Sequence, residues 1–260
     1  MKENLYRITV TLQPTHQIKL HSYGLSVALH GAFMDMIPTE LAQMFHSNAV
    51  NPFSMYVFKQ NENYVWEISI LDDYLYKHVI VYLKKRLHAT ISLKSYKNTD
   101  FMVCNIHTSF KAVKEFAYEF YNKQASYKLD VSVLSPIAFK VKGDYHFIPD
   151  IRLILQSAMT KYQNLIEDSS EIDQEFLDEL VKSVRLTNYQ IKSSYYRVHQ
   201  HLIPGFLGRL TLHLSCNQTL KNYIYMLLYF CEYSGVGIKT GMGMGKIQVT
   251  QREEKEWKAD

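Results

Sequence analysis

The stretch Ser234-Gly235-Val236-Gly237-Ile238-Lys239-Thr240-Gly241-Met242-Gly243-Met244-Gly245-Lys246 carries five of the ten glycines of the protein. Glycine admits positive φ and lets a backbone come close to another group. Exposed amides beside Lys239 and Lys246 could cradle phosphates. The setting of the loop excludes two nucleotide-binding folds. A P-loop needs Gly-Lys followed by Ser or Thr and then a helix; here Gly245-Lys246 runs into Ile247 and a strand. A Rossmann loop leads from strand to helix within a βαβ unit; this loop leads from helix to strand. Two readings stay open at this point: a tight connection packed on its neighbour, and a contact to an RNA backbone.

Outward from the loop, the pattern is regular. Leu220, Ile224, Leu227, Leu228 and Cys231 recur at helical spacing before it, and residues 246–250 read as a strand after it. Further upstream, strands fit residues 184–198 and 206–215. Pro149 opens a helix bearing Ile151, Ile154, Leu155, Ala158 and Tyr162. The acidic run 167–179 (EDSSEIDQEFLDE) is expected to continue it as a solvated helix through Phe176, Leu177 and Leu180. A strand at 127–134 ends at Ser135-Pro136. The first half repeats the order. Tyr6, Ile8, Val10 and Leu12 alternate with Arg7, Thr9 and Thr11 as in a half-buried strand. A helix with Leu25, Ala28, Leu29, Ala32 and Met36 follows, then a short one over 39–45 behind Pro38. Strands at 53–59 and 64–71 precede a helix marked by Leu75, Val79, Leu83 and Leu87, and strands at 89–95 and 101–108 close the half. A helical connector over 111–124 presents Val113, Phe116, Ala117 and Phe120 on one face.

The order strand, helix, strand, strand, helix, strand thus occurs twice. It predicts an α+β protein of two tandem ferredoxin-like (βαββαβ, RRM-like) domains with a C-terminal glycine-rich loop. Residues 1–125 form the first domain and 126–260 the second, meeting near 108–127, with both sheets turning a face to a shared cleft.

Composition narrows the function classes. At 47% apolar or aromatic and 21% charged, the 260 residues are too apolar for a disordered chain. The longest apolar run, 223–231, is far short of the ~20 residues that span a bilayer, and the N-terminus has no apolar signal core. Cys104, Cys216 and Cys231 lie far apart, with no pair motif for a disulfide framework or a thiolate zinc site. These features predict a cytoplasmic protein with reduced thiols. The net charge is +4, and the acidic run leaves the rest of the chain more basic. Tyrosines beside cations, as at Tyr96-Lys97, Tyr127-Lys128 and Tyr195-Tyr196-Arg197, suit base stacking next to phosphate contacts. They equally suit half-buried strand positions.

The spacing G-x-G-x-x-x-G-x-G-x-G before the last strand resembles the signature of the RAMP superfamily, and within it the CRISPR repeat-processing endoribonucleases. The doubled ferredoxin-like order is similar to that family's fold. Leu134-Ser135-Pro136-Ile137 resembles the motif heading its second domain, and Ile203-Pro204-Gly205-Phe206-Leu207-Gly208 a second glycine-containing motif. Leu41-Ala42-Gln43-Met44-Phe45-His46 with Pro52-Phe53-Ser54 resembles the segment of the catalytic histidine.

The resemblance implies metal-independent cleavage of precursor CRISPR RNA within its repeats, with no cofactor. The substrate's 2′-hydroxyl attacks the adjacent phosphate, a base takes its proton, and an acid supplies one to the leaving 5′-oxygen. The products carry a 2′,3′-cyclic phosphate or 3′-phosphate and a 5′-hydroxyl. Histidine suits the proton transfers because its ordinary pKa is about 6.5. The resemblance points to His46, with His30 near the place of a second catalytic side chain in some members. The family often adds a Lys shortly after the histidine. Here Asn51 precedes Pro52 and no Lys lies between His46 and Lys59, so Lys59 or another cation is expected to serve. The expected RNA-binding set is Lys59, Arg197, Arg209, Gly237, Lys239, Gly241, Gly243, Gly245 and Lys246, with Lys239, Lys246, Arg197 and Arg209 along one basic groove. His199 and His201, two apart on one strand face, and His213 are read as RNA-facing or structural rather than metal-binding.

The implied partner is CRISPR repeat RNA, single-stranded or hairpin, in a prokaryotic cytoplasm. Hand-over of product to an effector complex and homodimerisation are compatible with it; a membrane is not. Two other classes remain: a non-catalytic RAMP-type RNA-binding subunit of an effector complex, and a protein-interaction module using Met242 and Met244.

Overall fold

The computed structural model describes residues 3–16, 21–48, 50–93 and 99–252, with His46 and Ser47 described by their backbone. Two antiparallel sheets organise it. The first runs β2-β3-β1-β5-β4, from β1 (Asn4–Pro14), β2 (Phe53–Gln60), β3 (Asn63–Ile70), β4 (Thr90–Ser92) and β5 (Asp100–Ala112). The second runs β11-β6-β10-β9, from β6 (Lys128–Ile137), β9 (Val184–Val198), β10 (His201–Leu214) and β11 (Ile247–Gln251). Setting aside the short β4 at the edge of β5, each sheet places the fourth strand of its βαββαβ unit beside the first, then the third, then the second. That is the ferredoxin-like arrangement the element order predicts.

The alternation of β1 is what anchors the first sheet. Leu5, Ile8, Val10 and Leu12 are fully buried. On the helix side Ile8, Val10 and Leu12 meet Leu25, Leu29 and Phe33 of α1 (Ser22–Met34), and Leu75, Val79 and Leu83 of α3 (Asp73–Lys85), while Leu5, of opposite parity, joins the core of the second half. Asp72 Oδ1 caps α3 by accepting from Leu75 N at 2.7 Å. In the second half, α5 (Ile151–Tyr162) and α7 (Gln218–Ser234) cover the sheet, capped by Asp150 and Asn217. The connector helix α4 (Val113–Asn122) packs Phe116 and Phe120 on Tyr229 and Tyr225 of α7.

Several local expectations are corrected. The acidic run is not one helix. After α5 the chain makes a π-helical turn (Gln163–Glu167), and Asp168 turns left-handed at φ +52°. An irregular stretch follows until Asp173 caps α6 (Gln174–Ser183), whose Leu177 and Leu180 are buried. Serines and aspartates favour such breaks because their side chains compete for the backbone. A small hairpin, β7 (Phe139–Val141) with β8 (Asp144–His146), was not expected. β10 starts at His201, ahead of the expected 206, and includes Pro204. Its register with β6 begins only at Phe206, so Pro204 sits where β10 has a single neighbour, β9. The expected strand 89–95 is seen as β4, and its end lies outside the described residues.

The second half docks through its glycine loop. A Cβ at Gly241 would lie 2.8 Å from the Phe53 ring. One at Gly243, where φ is +101°, would overlap Ser26 Oγ of α1. The expected outcome for Gly243→Ala is a loss of about 2–4 kcal/mol, from left-handed strain plus the collision. Urea unfolding checks it: a variant as stable as the parent would show that the loop does not sit tightly on α1.

Candidate nucleic-acid interface

The glycine loop is held by its own amides. Gly235 N donates to Cys231 O, Val236 N to Gly245 O, Ile238 N to Ala138 O and Gly245 N to Pro136 O, all within 2.8–3.0 Å. Gly237 N donates to Ser157 Oγ and Lys246 N to Ser135 Oγ, both at 2.9 Å. Met242, Gly243 and Met244 turn back to Lys239 and Thr240. Positive φ at Gly235, Gly237, Gly243 and Gly245 makes this winding affordable, and a Cβ at Gly237 or Gly245 would strike the carbonyl of Ala138 or Val236. Within the described residues, the amides of Lys239, Thr240 and Gly241 at the tip make no such bond. Only the tip, with exposed Lys239 in left-handed conformation, is built like an anion cradle.

Phe53 is the hub at which the site's pieces meet. Gly241 of the tip touches its ring. The Phe45 ring of α2 (Thr39–Ser47) stands 5.5 Å from it, the Phe33 ring of α1 4.6 Å and the His30 ring 6.3 Å. His46 follows Phe45 in α2; its side chain lies outside the described residues. The segments carrying His30 and His46 therefore converge on one aromatic residue beside the loop tip.

The expected cations divide. Lys239 is at the tip. Lys59 is exposed six residues along β2 from Phe53, about 20 Å away at strand spacing, and cannot serve that centre. Arg197 pairs with Leu202 and Arg209 with Gln190 along β9 and β10. Seven residues of unbroken register separate these positions, so the two arginines point to opposite faces of the hairpin and share no groove. Lys246 is buried at 8% exposure. Its ammonium is ion-paired to Glu67 of β3 and donates to Glu232 O at 2.8 Å. Desolvation draws its pKa down, against the pull of Glu67. It is a bond between the halves, not a phosphate ligand. His199 is not on a strand with His201; at φ +54° it belongs to the tight turn joining β9 to β10. His213 shares a hydrogen bond with Ser215 Oγ at 3.0 Å. Met244 is buried, leaving Met242 half-buried as the other half of the expected contact pair.

Two contributors escaped the sequence reading. Tyr196, fully buried, donates from its hydroxyl to Met242 O at 2.6 Å and packs on Tyr23 of α1. Lys161 of α5 reaches the carbonyls behind the loop. Tyr196 lies in the aromatic-basic cluster Tyr195-Tyr196-Arg197; Lys161 carried no sequence signal.

Comparison with known proteins agrees with this architecture. The family model described as CRISPR-associated endoribonuclease Cas6 matches residues 131–247. The chain is 33% identical over 231 residues to a CRISPR-associated endoribonuclease Cas6 of Streptococcus thermophilus, covering 88% of this chain and 93% of the relative. It is 33% identical over 253 residues to the one of Mycobacterium tuberculosis (strain CDC 1551 / Oshkosh), covering 96% and 79%. Among solved structures, a Cas6 product complex superposes with a TM-score of 0.78 at 20% identity, covering 95% of this chain and 100% of that one. Thermus thermophilus Cas6 gives 0.71 at 18% identity, covering 95% and 99%. These structural likenesses show the shared fold.

Lys246→Ala is expected to cost about 1–3 kcal/mol, since it leaves the half-buried Glu67 carboxylate with Arg7 alone, while Lys246→Met with Glu67→Gln regains most of it. Denaturant unfolding of the three proteins tests this. Equal stability of single and double variants would remove the pair as an interdomain bond.

Proposed function

The chain belongs to the CRISPR-associated endoribonuclease Cas6 family, and from that membership we propose that it cuts precursor CRISPR RNA within its repeats to release guide RNAs. The observation that carries the proposal is identity over nearly the whole chain to relatives bearing that name. The convergence of His30, α2 and the glycine-loop tip on Phe53 supports the place of cleavage.

The chemistry follows from that placement. The nucleophile is in the substrate: the 2′-hydroxyl attacks the neighbouring phosphorus, and the bond to the 5′-oxygen breaks. His46 transfers a proton in this step and His30 is the second candidate. Extra charge on the phosphate is met by the amides of residues 239–241 and by Lys239, which take the role first expected of Lys59. Metal independence rests on this division of labour, since imidazole groups move the protons and the loop tip meets the charge.

Single-turnover cleavage of a labelled repeat RNA tests the reading. His46→Ala should slow cleavage by about 10²–10⁴-fold with little change in binding. EDTA should leave the rate unchanged. The upstream product should end in a 2′,3′-cyclic phosphate or 3′-phosphate, and a 2′-deoxy residue at the cut should bind without being cut. Full activity of the His46 variant transfers its role to His30 or another histidine. Binding without cleavage by the wild-type chain points to the non-catalytic RNA-binding subunit. Lys239→Ala should weaken RNA binding and lower its salt slope by roughly one unit; an unchanged slope would take the tip out of the RNA path.

A further inference from the structure

Helix α5 passes behind the glycine loop and grips it with two residues one turn apart. Ser157 Oγ accepts from Gly237 N at 2.9 Å. Lys161 Nζ donates to the carbonyls of Gly235 at 2.9 Å, Gly237 at 3.2 Å and Ser234 at 3.3 Å. Lys161 is 8% exposed, and within the described residues no carboxylate forms an ion pair with it. Buried ammonium groups are ordinarily paired, because desolvation disfavours the charge. Three carbonyl dipoles satisfy its hydrogens and bring no net negative charge.

The surroundings supply none either. From α7, Cys231 faces it, and burial pushes that thiol up to about 11. Glu232 on the same helix is turned to Val249 N and the Lys246 cluster. On α5, Tyr162 packs on Phe230 and is pushed up to about 12. Lys239, the charged residue nearest in the loop sequence, is a cation exposed to solvent at the tip.

We propose that Lys161 is a positioning residue for RNA binding: it pins the loop carbonyls inward, and its missing counter-charge is supplied by a phosphodiester of the RNA seated at the loop tip. This rests on the reading of the chain as an RNA-cleaving member of its family. The proposal has a consequence in pH. Burial draws Lys161 down to about 8 from its ordinary 10.5. Between those values the unfolded chain holds a proton that the folded chain has shed, so stability rises with pH across that window. RNA binding favours the charged form, so affinity falls as pH rises through the same lower value. A lysine that only braces the loop gives the first trend without the second.

The experiment uses the full chain and a repeat RNA made uncleavable by a 2′-deoxy residue. Thermal unfolding without RNA, and the Kd for RNA at constant ionic strength, are followed from about pH 7 to about pH 9.5. For the wild type the Kd should rise about tenfold more over this range than for Lys161→Met, which should bind about tenfold more weakly at neutral pH. The variant's Tm should lose the rise seen in the wild type. Ser157→Ala, which loosens the loop and keeps the charge, should weaken binding and retain the wild-type pH profile. A folded Lys161→Met with the wild-type pH profile overturns the proposal. If that variant does not fold, a wild-type Kd that is flat through pH 8, or a Ser157→Ala profile unlike the wild type's, overturns it instead. A wild-type chain that binds no repeat RNA overturns the ribonuclease reading itself, and this inference falls with it.

Discussion

An ammonium group at the end of the glycine loop decides how the two halves meet. Lys246 enters β11 with its backbone N–H on Ser135 Oγ and its side chain crossing to Glu67 in the other sheet. Arg7 joins from β1: it stands 3.5 Å from Glu67, reaches Glu232 O and lies over the Tyr233 ring at 4.6 Å. Glu232 completes the group, its carboxylate accepting from Val249 N at 2.7 Å, and burial raises its pKa. Two cations and two carboxylates thus form a neutral cluster on the face of the first sheet turned away from its helices. Replacing such a cluster by apolar contacts often adds stability, so its value lies in direction. A hydrophobic contact tolerates sliding, whereas ion pairs with shared hydrogen bonds fix a register.

That register is what the loop needs. Its glycines are less a source of flexibility than of thinness. A Cβ on Gly241 would press on the Phe53 ring at 2.8 Å, and one on Gly243 would collide with Ser26 Oγ. Ser54 Oγ of the first half is bonded to Tyr233 O just ahead of the loop, and Tyr196 of the second half holds Met242 O while packing on Tyr23 of α1, so the loop is fixed both to its own half and to the other. A winding this constrained has few amides left for a ligand, and the free ones are consecutive at the tip.

The features legible in the sequence are those fixed by short-range pattern. The alternation of residues 5–13 gives β1 because period two survives wherever one face is buried, and the faces of α1, α3 and α7 follow from helical spacing in the same way. What escaped depends on distant partners. Lys246 looks like a phosphate ligand after Gly245, and it is neutralised by Glu67, 179 positions away. Lys161 sits in an ordinary amphipathic helix, and only the fold brings three carbonyls to it. The acidic run hid its break, since Asp173 reads as surface until it is seen capping α6. The opposed faces of Arg197 and Arg209 were within reach of the sequence, because hairpin parity settles them once the turn at His199-Gln200 is placed.

The same geometry bears on why the family's lysine position can be vacant. Proton transfer and charge stabilisation are separable tasks, and under the proposed assignment they fall on different halves. The candidate imidazoles come from α1 and α2, and the unpaired amides and Lys239 from the loop of the second half. A lysine a few residues after His46 would bring its charge from the same half as the histidine, so its position would not depend on docking. Without it, the phosphate must be met across the seam, and a shift of about 1 Å between halves would cost rate as a misplaced catalytic group does. A cluster of directional charge pairs and a glycine loop without spare side chains are the means by which such a shift is resisted, so the absent lysine and the buried Lys246 are two sides of one constraint.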